Sequence, residues 1–594
     1  MLKNTVRERV AALRVQMRGH GIDACVIFGT DPHQSENASR HWCDREWISG
    51  FTGSAGVVIV TLEKAILWSD GRYVTQASEE LRYTEIEFFE LGGQNSENPV
   101  DYLKNNLKDG DRVGMNGDVV SAATAKKMEE TLGESGVGVE FDLDLIGAIW
   151  SDRPECPAEP IVAHPLAYAG RTHMEKIEDL REKMLTKKAD HYIISSLDAI
   201  AWLFNIRGGD IDYSPLGTAH ALVSSVATKL FVENNKIGED LCIALEADRV
   251  TIHPYSEIKT VLKLLPSGES VAFAPKKVSR ALCDAIPESC VKIETSELVD
   301  ELKMLKNGVE IANIRSVSVS DGVAMCRFLC WLDDALGRER ITEISAADKL
   351  REFREAHPDM KRLSFPTIAG YREHAALPHY SASPESCYDL EPEGLFLFDS
   401  GGNYLGGTTD VTRTIALGPI PDVARRDFTL VLKGVINLSR LKFPSTATGA
   451  NVDILARTPL WEYGLDFRHG TGHGVGSYLN VHEGPCAISS RANVRFRPGM
   501  VLTIEPGCYR AGEYGIRTEN MVLVVESGKT ESGEFFRFET LTLCPVDMSA
   551  ADMNMLTQEE LDWINGYHER VFEKLAPHLD EKEREWLRAK TRVV

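Results

Sequence analysis

The sequence predicts an architecture of two related α/β domains followed by one α+β domain. A chain of 594 residues is too long for a single hydrophobic core, so several domains are expected. Short strand and helix patterns alternate twice in a similar order over the first half, whereas long helical patterns precede glycine-punctuated strands in the second half. We therefore expect domains at residues 1–157, 158–306 and 307–594.

Composition and charge exclude several functional classes. A hydrophobic content of 43% and a charged content of 26% are typical of a soluble globular protein. The net charge of -23, without a sustained Lys/Arg run, opposes binding to phosphate backbones, so we expect no nucleic acid partner. We also expect no membrane partner, because no stretch reaches the length of a membrane span and neither terminus resembles a signal peptide or lipid anchor.

The 12 cysteines are scattered and often lie in apolar surroundings, as Cys25 and Cys242 do. The one close pair, Cys326 and Cys330, falls on a helical pattern and is expected to pack rather than to coordinate a metal. Free thiols in a reducing cytoplasm are the expected state.

The first domain is predicted from an amphipathic helix and three β-rich runs. Val10, Leu13, Val15 and Met17 lie on or near one face of the helix. The runs bounded by turn residues are expected to be strands, at residues 25–28, 56–60 and 65–68.

A glycine-rich segment, WISGFTGSAG, lies between two of these strands. It lacks the Gly-Lys-Ser/Thr ending of a phosphate-binding loop, so a nucleotide site is not indicated. Thr52 occupies the first glycine position of a G-x-S-x-G nucleophile elbow, so Ser54 is not a predicted nucleophile either.

A proline-rich stretch at residues 152–165 is expected to link the first two domains. After it, a charged helix, the strand-like YIISS, a second helix and the β-rich ALVSS and LFV follow in an order similar to that of the first domain. We interpret this order as an internal duplication.

From about residue 307 the pattern changes. Two long helical patterns come first, and a charged helical segment closes the chain from Met553. Between them lie LFLFDSGG, GGTTDVTRTIALG, MVLTIEPGCY and TENMVLVVE, which are typical of strands in an antiparallel sheet.

Five metal-ligand candidates lie in this last part of the chain: Asp399, Asp410, His473, Glu505 and Glu519. Four carboxylates and one imidazole form a hard, oxygen-rich set that suits a pair of divalent cations such as Mn²⁺ better than a thiolate-type zinc site. Two metals a few Å apart generate hydroxide at neutral pH and stabilise a tetrahedral intermediate, so hydrolysis is the first hypothesis.

Two hairpins are expected to bring the carboxylates together. A glycine-rich loop would set Asp399 and Asp410 on adjacent strands, and a turn at AGEYG would pair the strands carrying Glu505 and Glu519. A bare cluster of carboxylates repels itself, so metals are implied if these residues meet. Any one of the aspartates taken alone could equally be a turn or cap residue.

His469 precedes His473 by four residues, the spacing of a zincin helix. The intervening Gly-Thr-Gly has no Glu and a poor helix propensity, so we do not expect that helix. The segment HGTGHGVG is predicted to be a glycine-lined loop that lets a substrate backbone approach.

Taken together, these motifs closely resemble the metallo-aminopeptidases of the pita-bread fold, in particular the three-domain cytosolic aminopeptidase P (Xaa-Pro aminopeptidase) group. WISGFTGSAG, LWSDGRY and WLFNIRGGDI are similar to landmarks of its two creatinase-like N-terminal domains, and FDSGG, GTTDVTRT, HGTGHGVGSYLNVHEGP, TIEPGCY and GIRTEN to those of its pita-bread catalytic domain. The segment from LTLCPVDM to YHERV is similar to the C-terminal extension of the long form.

The resemblance implies a role for each metal ligand. Asp399 would chelate one metal, His473 and Glu505 the other, and Asp410 and Glu519 would bridge both. A hydroxide between two metals, most simply Mn²⁺, would attack the carbonyl of an Xaa-Pro bond at the N-terminus of a peptide. A cytoplasmic homodimer is implied by the family and by no pattern in the residues.

The resemblance also implies roles around the substrate. His379 and His482 would hydrogen-bond the scissile peptide or its tetrahedral intermediate, while His469 and Tyr509 would line the proline site. Glu505 would handle the proton of the nucleophile, and Arg517 would orient the carboxylates or meet the substrate carbonyl.

Structural alternatives remain for three of these residues. His482 follows a strand-like YLNV and could cap a turn, and His379 could belong to a solvated loop. Arg517 could form a structural salt bridge with the same carboxylates.

Other members of the same fold are alternatives for the whole chain. Prolidases cleave dipeptides and usually have one N-terminal domain, methionine aminopeptidases generally lack these front domains, and creatinase-like enzymes lack the metal set. A non-catalytic peptide-binding module, as in histone-chaperone relatives, would be expected to have lost ligands, whereas all five are present here.

Overall fold

The computed structural model describes residues 2–92 and 97–594. The chain forms two compact units, which we describe separately. The N-terminal unit comprises Met1–His164 and Arg171–Leu302, and the C-terminal unit comprises Pro165–Gly170 and Lys303–Val594.

The first half of the N-terminal unit contains one six-stranded sheet in the order β4-β3-β2-β1-β5-β6. Its strands are Ala24–Phe28 (β1), Val57–Thr61 (β2), Ala65–Asp70 (β3), Ile86–Leu91 (β4), Arg112–Gly114 (β5) and Gly138–Glu140 (β6). The helices are Leu2–His20 (α1), Asp44–Ser49 (α2), Val74–Glu80 (α3), Pro99–Asn106 (α4) and Ala122–Gly133 (α5). The three strands that the sequence predicts in this domain are confirmed as β1, β2 and β3.

Helix α1 packs one apolar face into the core of this domain. Val10, Leu13 and Met17 are buried there together with Val6, a spacing of three and four residues that places them on one side of a helix. Val15 is 62% exposed, so its predicted place on the apolar face is wrong. It lies two residues from Leu13, which turns it toward the opposite side of the helix.

A second six-stranded sheet, in the order β12-β11-β10-β8-β13-β14, occupies the rest of the N-terminal unit. The strands of this part are Val162–Ala163 (β7), His191–Ile194 (β8), Ile206–Arg207 (β9), His220–Ser224 (β10), Thr228–Phe231 (β11), Val250–His253 (β12), Ser270–Phe273 (β13) and Val291–Glu294 (β14). Among the helices that follow α5, Leu166–Ala169 (α6) belongs to the C-terminal unit. The others are His173–Lys187 (α7), Leu197–Leu203 (α8), Glu239–Ala247 (α9), Ile258–Lys263 (α10), Arg280–Asp284 (α11) and Asp300–Lys303 (α12).

The two six-stranded sheets have the same pairing pattern. Read across each sheet, the pairings are parallel, antiparallel, antiparallel, parallel and parallel. The same topology in both sheets confirms the predicted duplication.

The C-terminal unit combines six long helices with short strands. The helices are Gly308–Ala335 (α13), Glu343–Glu355 (α14), Asp422–Ser439 (α15), Gly449–Trp461 (α16), Gln558–Leu575 (α17) and Glu581–Lys590 (α18). The strands are Met360–Leu363 (β15), Ile368–Tyr371 (β16), Leu395–Ser400 (β17), Gly402–Tyr404 (β18), Gly407–Thr408 (β19), Val411–Ala416 (β20), Lys442–Pro444 (β21), Gly472–Gly474 (β22), Glu483–Ile488 (β23), Val501–Ile504 (β24), Gly507–Arg510 (β25), Tyr514–Arg517 (β26), Asn520–Thr530 (β27) and Gly533–Thr540 (β28).

The strands of the C-terminal unit form an antiparallel α+β domain, as predicted. The largest sheet has six strands in the order β21-β28-β27-β24-β22-β23, and a three-stranded sheet follows the order β16-β17-β20. Helix α13 begins with a capping box in which Asn307 and Glu310 satisfy the free amides of its first turn. Phe428, Leu432 and Ile436 of α15 are buried in the same core cluster as residues of α17.

All 12 cysteines are free, as predicted, and Cys326 and Cys330 are buried on α13. None of the helices formed by the described residues has the length and apolar composition that crossing a bilayer requires.

Candidate metal centre and substrate site

Asp399 and Asp410 are brought together by a hairpin, as the sequence predicts. Asp399 lies in β17, where it pairs with Thr412 of β20, and Asp410 immediately precedes β20. The intervening strands β18 and β19 form a smaller hairpin. Gly401 allows the close return of the chain, because a Cβ at this position would lie 1.9 Å from the carbonyl oxygen of Thr409.

The second pair of carboxylates lies at the end of another strand pair. In the β24–β27 pairing Ile504 faces Asn520, so Glu505 and Glu519 are the first residues beyond the paired ends. The hairpin β25–β26 connects these positions and returns the chain to the site.

His473 lies in strand β22, and the prediction of a glycine-lined loop around it is wrong at residues 472–474. The glycines on either side let neighbouring strands approach closely. A Cβ on Gly472 would lie 1.9 Å from the carbonyl oxygen of Thr503, and one on Gly474 would lie 2.1 Å from that of Glu483. The glycine pattern therefore reflects strand packing around the histidine.

The five predicted ligands form one cluster. Ligand atoms of Asp410, His473 and Glu519 lie within 4.8 Å of one another. Nε2 of His473 is 3.4 Å from Oδ2 of Asp410 and 3.7 Å from Oε1 of Glu505. Asp399 joins the cluster through its charge. Burial is the main cause that raises the pKa of Asp399, Arg517 lowers it, and the charge of Asp410 raises it.

The orientation of the His473 ring suits a metal ligand. Its Nδ1 lies 2.9 Å from the carbonyl oxygen of Gly474, an acceptor, so Nδ1 carries a proton and donates it. In the neutral ring Nε2 then presents its lone pair to the carboxylates, which is the arrangement that a backbone acceptor gives to metal-binding histidines.

The electrostatics of the cluster leave negative charge without compensation. Burial raises the pKa of Glu519 well above its ordinary value, and the charges of Asp410 and Asp399 raise it further. Burial also raises the pKa of Glu505. Burial lowers the pKa of His473, but its hydrogen bond to Asp410 and the charge of Glu505 outweigh this effect and raise the pKa to about 9.

These residues fit a pair of divalent cations. The donor set is oxygen-rich with one imidazole, and Oδ1 of Asp399 is buried without a hydrogen-bond partner among the described residues. A buried carboxylate oxygen with no partner is unfavourable unless a cation satisfies it.

Arg517 is a buried cation in direct contact with the cluster. Its Nη2 donates to Oδ2 of Asp399 at 2.6 Å, and its Nε donates to Oγ1 of Thr412 at 3.1 Å. Thr412 in turn donates to Oε2 of Glu519 at 2.8 Å. Arg517 therefore orients two predicted ligands, one directly and one through a threonine hydroxyl.

Sequence reasoning missed Thr412, although a signal was present. Asp410 and Thr412 are two residues apart, so an extended chain points both side chains to the same side. It also missed Arg354, which is buried and donates to Asp321 at 2.7 Å and to Oγ of Ser400 at 2.7 Å. Arg354 thus fixes the end of β17 beside Asp399.

A hydrogen-bonded chain runs from Arg517 to His469. Nη1 of Arg517 donates to the hydroxyl of Tyr509 at 2.7 Å, and that hydroxyl lies 2.9 Å from Nε2 of His469. Nδ1 of His469 faces the carbonyl oxygen of Gly470 at 2.7 Å, so it is the protonated nitrogen and Nε2 accepts from Tyr509.

The surroundings of His469 in this hydrogen-bonded chain keep its ring neutral. Burial, together with the positive charge of Arg517, lowers the pKa of His469 to about 3. Burial raises the pKa of Tyr509 to about 12. The two rings meet edge to face at 5.5 Å, and Phe467 packs against His469 at 4.9 Å, so together they form an uncharged aromatic wall.

His379 and His482 are near different members of this constellation. The carbonyl oxygen of Pro378, next to His379, is 3.5 Å from Nη2 of Arg517. His482 packs edge-on against His473, with ring centroids 4.3 Å apart. The structure therefore places His482 against a predicted metal ligand, and it places His379 near Arg517 and close enough to His469 to lower its pKa.

The segment before His482 differs from the prediction, because YLNV is not a strand and Tyr478 has a φ of 51°. The strand β23 begins after it, at Glu483. The carboxylate of Glu483 is buried between Lys306, to which it is hydrogen-bonded, and Lys303, whose Nζ lies 3.3 Å away. This ion pair fixes the chain directly beside His482.

Known proteins resemble this chain over nearly its full length. It is 38% identical over 606 residues to a probable Xaa-Pro aminopeptidase P of Neosartorya fischeri, covering 98% of this chain and 92% of the relative. It is 36% identical over 645 residues to aminopeptidase P1 of Arabidopsis thaliana, covering 99% of both chains. Residues 312–526 match the model of metallopeptidase family M24. The chain belongs to this family.

The other segments of this M24 metallopeptidase match models that accompany the family. Residues 9–142 and 152–310 each match a creatinase/prolidase N-terminal domain, and residues 534–594 match the C-terminal region of peptidase M24. The two matches in the first half agree with the two six-stranded sheets. The predicted creatinase-like and pita-bread architecture is confirmed.

Solved structures give the same result. An X-prolyl aminopeptidase from Caenorhabditis elegans, described as a cytosolic enzyme with a di-nuclear active site, has a TM-score of 0.95 and 36% identity over 99% of this chain. An Xaa-Pro dipeptidase from Bacillus anthracis has a TM-score of 0.51 and 25% identity, and covers 63% of this chain. The C. elegans structure thus matches nearly the whole M24 metallopeptidase, and the dipeptidase matches part of it.

Proposed function

We propose that this chain is an Xaa-Pro aminopeptidase that hydrolyses the bond between the first residue of a peptide and a proline at the second position. The observation that carries the proposal is the convergence of all five predicted ligands beside an uncharged wall of His469 and Tyr509. The first feature provides hydrolysis and the second provides a surface for a pyrrolidine ring.

We propose two divalent metal ions, most simply Mn²⁺, as cofactors. Asp399 would hold one ion, His473 and Glu505 the other, and Asp410 and Glu519 both. When bound, such ions lower the pKa of water and polarise the carbonyl that is attacked. Carboxylate-rich donor sets favour Mn²⁺, whereas zinc prefers softer sites that contain thiolates.

The protein groups would carry the proton and orient the substrate. Glu505 is partly buried at the edge of the cluster and would hold the proton that leaves the nucleophile. His379 and His482 would hydrogen-bond the scissile carbonyl and its tetrahedral intermediate. Arg517 would keep Asp399 in place, because its guanidinium already donates to that carboxylate at 2.6 Å.

Selectivity for proline would follow from what the site does not require. A proline at the second position has no N–H to donate and a fixed φ, so a site that depends on a β-ladder loses a hydrogen bond there. Here the neutral His469, Tyr509 and Phe467 provide aromatic surface in place of that hydrogen bond.

We further propose that the enzyme acts in the cytoplasm as a homodimer and binds peptides, with neither nucleic acid nor membrane as a partner. The C. elegans structure is described as cytosolic. Exposed apolar side chains on one part of the C-terminal unit, Ile454, Trp461 and Tyr463, support a contact with another protein chain.

A cleavage assay with matched peptides tests the proposal. The purified chain, dialysed against chelator and reloaded with Mn²⁺, is incubated with an Xaa-Pro-Xaa tripeptide, an Xaa-Ala-Xaa tripeptide and an Xaa-Pro dipeptide. We expect release of the first residue from the proline tripeptide alone, with about two metal ions per chain by elemental analysis.

The other outcomes separate the alternatives. Cleavage of the dipeptide without cleavage of the tripeptide would assign a prolidase. A protein that retains no metal and cleaves none of the three peptides would be a peptide-binding module, and the proposal would be abandoned.

A further inference from the structure

Glu343 is a fully buried carboxylate outside the predicted metal centre. It is the first residue of α14, where Thr342 caps the helix, and its side chain is 0% exposed. An ionised carboxylate has only acceptor sites, so it can satisfy several donors at once. The donors that surround Glu343 all come from one segment of the chain, residues 371–388.

Four groups of that segment meet the carboxylate. Oε1 accepts from the backbone N–H of Tyr371 at 2.7 Å, and Oε2 accepts from that of Tyr388 at 2.9 Å. The hydroxyl of Tyr380 donates to Oε2 at 2.9 Å, and Nδ1 of His374 lies 2.9 Å from Oε1. The two ends and the middle of the segment are therefore held at one point.

Stacked rings complete this arrangement. The ring of His374 lies between those of Tyr380 and Tyr388, at centroid distances of 4.4 and 3.8 Å and interplanar angles of 23° and 18°. The Tyr388 hydroxyl also donates to Glu373 at 2.9 Å. The segment is thus fixed by side chains that belong to it and by the one carboxylate that they share.

The segment held by Glu343 carries His379. Tyr380, which donates to Glu343, is the next residue along the chain, and Pro378 on the other side contacts Arg517 at 3.5 Å. The segment also packs on the hairpin that carries Arg517, since a Cβ on Gly515 would lie 1.6 Å from the carbonyl oxygen of Ala375. A displacement at Glu343 would therefore reach the substrate side of the site.

We propose that Glu343 is a positioning residue for His379, and that the reaction depends on it although it touches neither substrate nor metal. The inference rests on the proposed function, in which His379 binds the scissile peptide or its intermediate. Misplacing such a group by about 1 Å lowers the rate by up to roughly 100-fold.

The first variant is Glu343→Gln, which keeps the shape of the side chain. An amide has one oxygen and one NH₂ group, so it presents donors to at least one of the N–H and O–H groups that the carboxylate now satisfies. We expect kcat for the Xaa-Pro-Xaa tripeptide to fall about tenfold or more with little change in KM, because the loss is felt in the transition state. Metal content is expected to stay at the wild-type value.

A double-mutant cycle with His379→Ala separates positioning from general damage. If Glu343 acts through His379, Glu343→Gln lowers kcat in the wild-type background and has little further effect once His379 is alanine. Equal fold losses in both backgrounds would overturn the inference and leave the role of His379 intact. An unchanged kcat in His379→Ala alone would instead refute the proposed role of His379, and the inference with it.

Two further variants guard against a trivial result. Glu560→Gln is the matched control, since Glu560 is also a buried carboxylate in the first turn of a helix. It accepts from Lys433 of α15 and from the backbone N–H of Thr557, the N-cap of α17, and we expect the kcat of the variant to be that of the wild type. If Glu343→Gln does not fold, Tyr380→Phe replaces it in the cycle, because it removes a single donor from the same carboxylate. Additive losses with Tyr380→Phe would count against the inference in the same way.

Discussion

Histidines in the two units of this protein have opposite electrostatics. In the N-terminal unit, the ring centroids of His33 and His220 lie 4.5 Å apart, beside Tyr255 and Ser195. We call these four residues the histidine cluster. Burial lowers the pKa of His33 and lowers that of His220 further. In the C-terminal unit, the carboxylates around His473 raise its pKa to about 9.

The partners explain the difference. Nδ1 of His33 faces the carbonyl oxygen of Ser195 at 2.9 Å, and the Tyr255 hydroxyl lies 3.0 Å from its Nε2, so a neutral ring is satisfied at both nitrogens. Nδ1 of His473 also faces a carbonyl oxygen, but its Nε2 faces the carboxylates of Asp410 and Glu505. A buried cluster in which every donor has an acceptor stabilises the fold. A buried cluster with uncompensated negative charge is instead suited to binding cations.

The sharpest way to break this comparison is to replace one buried carboxyl group in each unit by an amide. Glu519→Gln keeps the shape and deletes a predicted bridging ligand. We expect loss of bound metal and a fall in kcat of at least about 100-fold, since even removing a hydrogen-bond partner of a ligand costs roughly 10- to 100-fold. Elemental analysis and the tripeptide assay measure both.

Glu297→Gln is the matched control in the N-terminal unit. Burial raises the pKa of Glu297 to about 8, so this residue is largely protonated at neutral pH and an amide resembles it. Its kcat and metal content are expected to be those of the wild type. A Glu519→Gln protein that keeps both metals would show that the charge of this residue is not what holds them.

Metal removal should destabilise the C-terminal unit. The clustered carboxylates repel one another when no cation lies between them. A ligand that binds only the folded state and is present at 100 times its dissociation constant stabilises that state by about 2.7 kcal/mol. We expect a lower unfolding temperature in chelator and its recovery on adding Mn²⁺, measured by calorimetry. The shift should be smaller in Glu519→Gln, and an equal shift in both proteins would place the stabilising metal elsewhere.

Replacing Arg517 by lysine tests the cation that donates directly to a carboxylate of the cluster. Lysine keeps the charge but cannot donate in three directions from a planar group, so the contacts with Asp399, Thr412 and Tyr509 are not all kept. We expect kcat to fall by roughly 10- to 100-fold with metal still bound. If the variant lost metal but the molecules that kept metal had the wild-type kcat, Arg517 would have only a structural role.

The sequence predicts that four of the five candidate ligands lie together, because each of the four is near the end of a short strand with its own glycine or turn signal. Asp399, Asp410, Glu505 and Glu519 follow that rule. His473 does not follow this rule, because it lies within a strand whose glycines give it the composition of a loop. The close approach of neighbouring strands that requires these glycines is not visible in one sequence.

Other parts of the site could not be predicted for a different reason. Glu343 precedes His379 by 36 positions and has the local pattern of an acidic residue in the first turn of a helix. Arg354 lies on the same helix as an ordinary charged residue, although it is fully buried against Ser400. These roles depend on tertiary contacts, and periodicity carries no information about them.

The smallest expected effect concerns the histidine cluster and acid. Asp31 and Asp210 raise the pKa of His33 and Lys236 lowers it, while Lys259 and His33 lower that of His220, and burial remains the largest cause in both. Because both folded-state pKa values lie below the unfolded value of about 6.5, the unfolded chain binds more protons in acid. The stability that these histidines confer is therefore full above pH 6.5 and decreases as the pH falls below it.

Each histidine should remove up to about 1.4 kcal/mol of stability per pH unit below 6.5. Hydrogen exchange of peptides covering β8 and β10, corrected for the intrinsic effect of pH, would report this in the full chain at pH 7.0 and 5.5. In a His33→Gln/His220→Gln protein the pH dependence should be reduced, since an amide does not titrate. If the stability of this variant depended on pH as steeply as that of the wild type, other groups would govern the response to acid. The proposed electrostatic contrast between the histidine cluster and the predicted metal centre would then have no effect on how stability changes with pH.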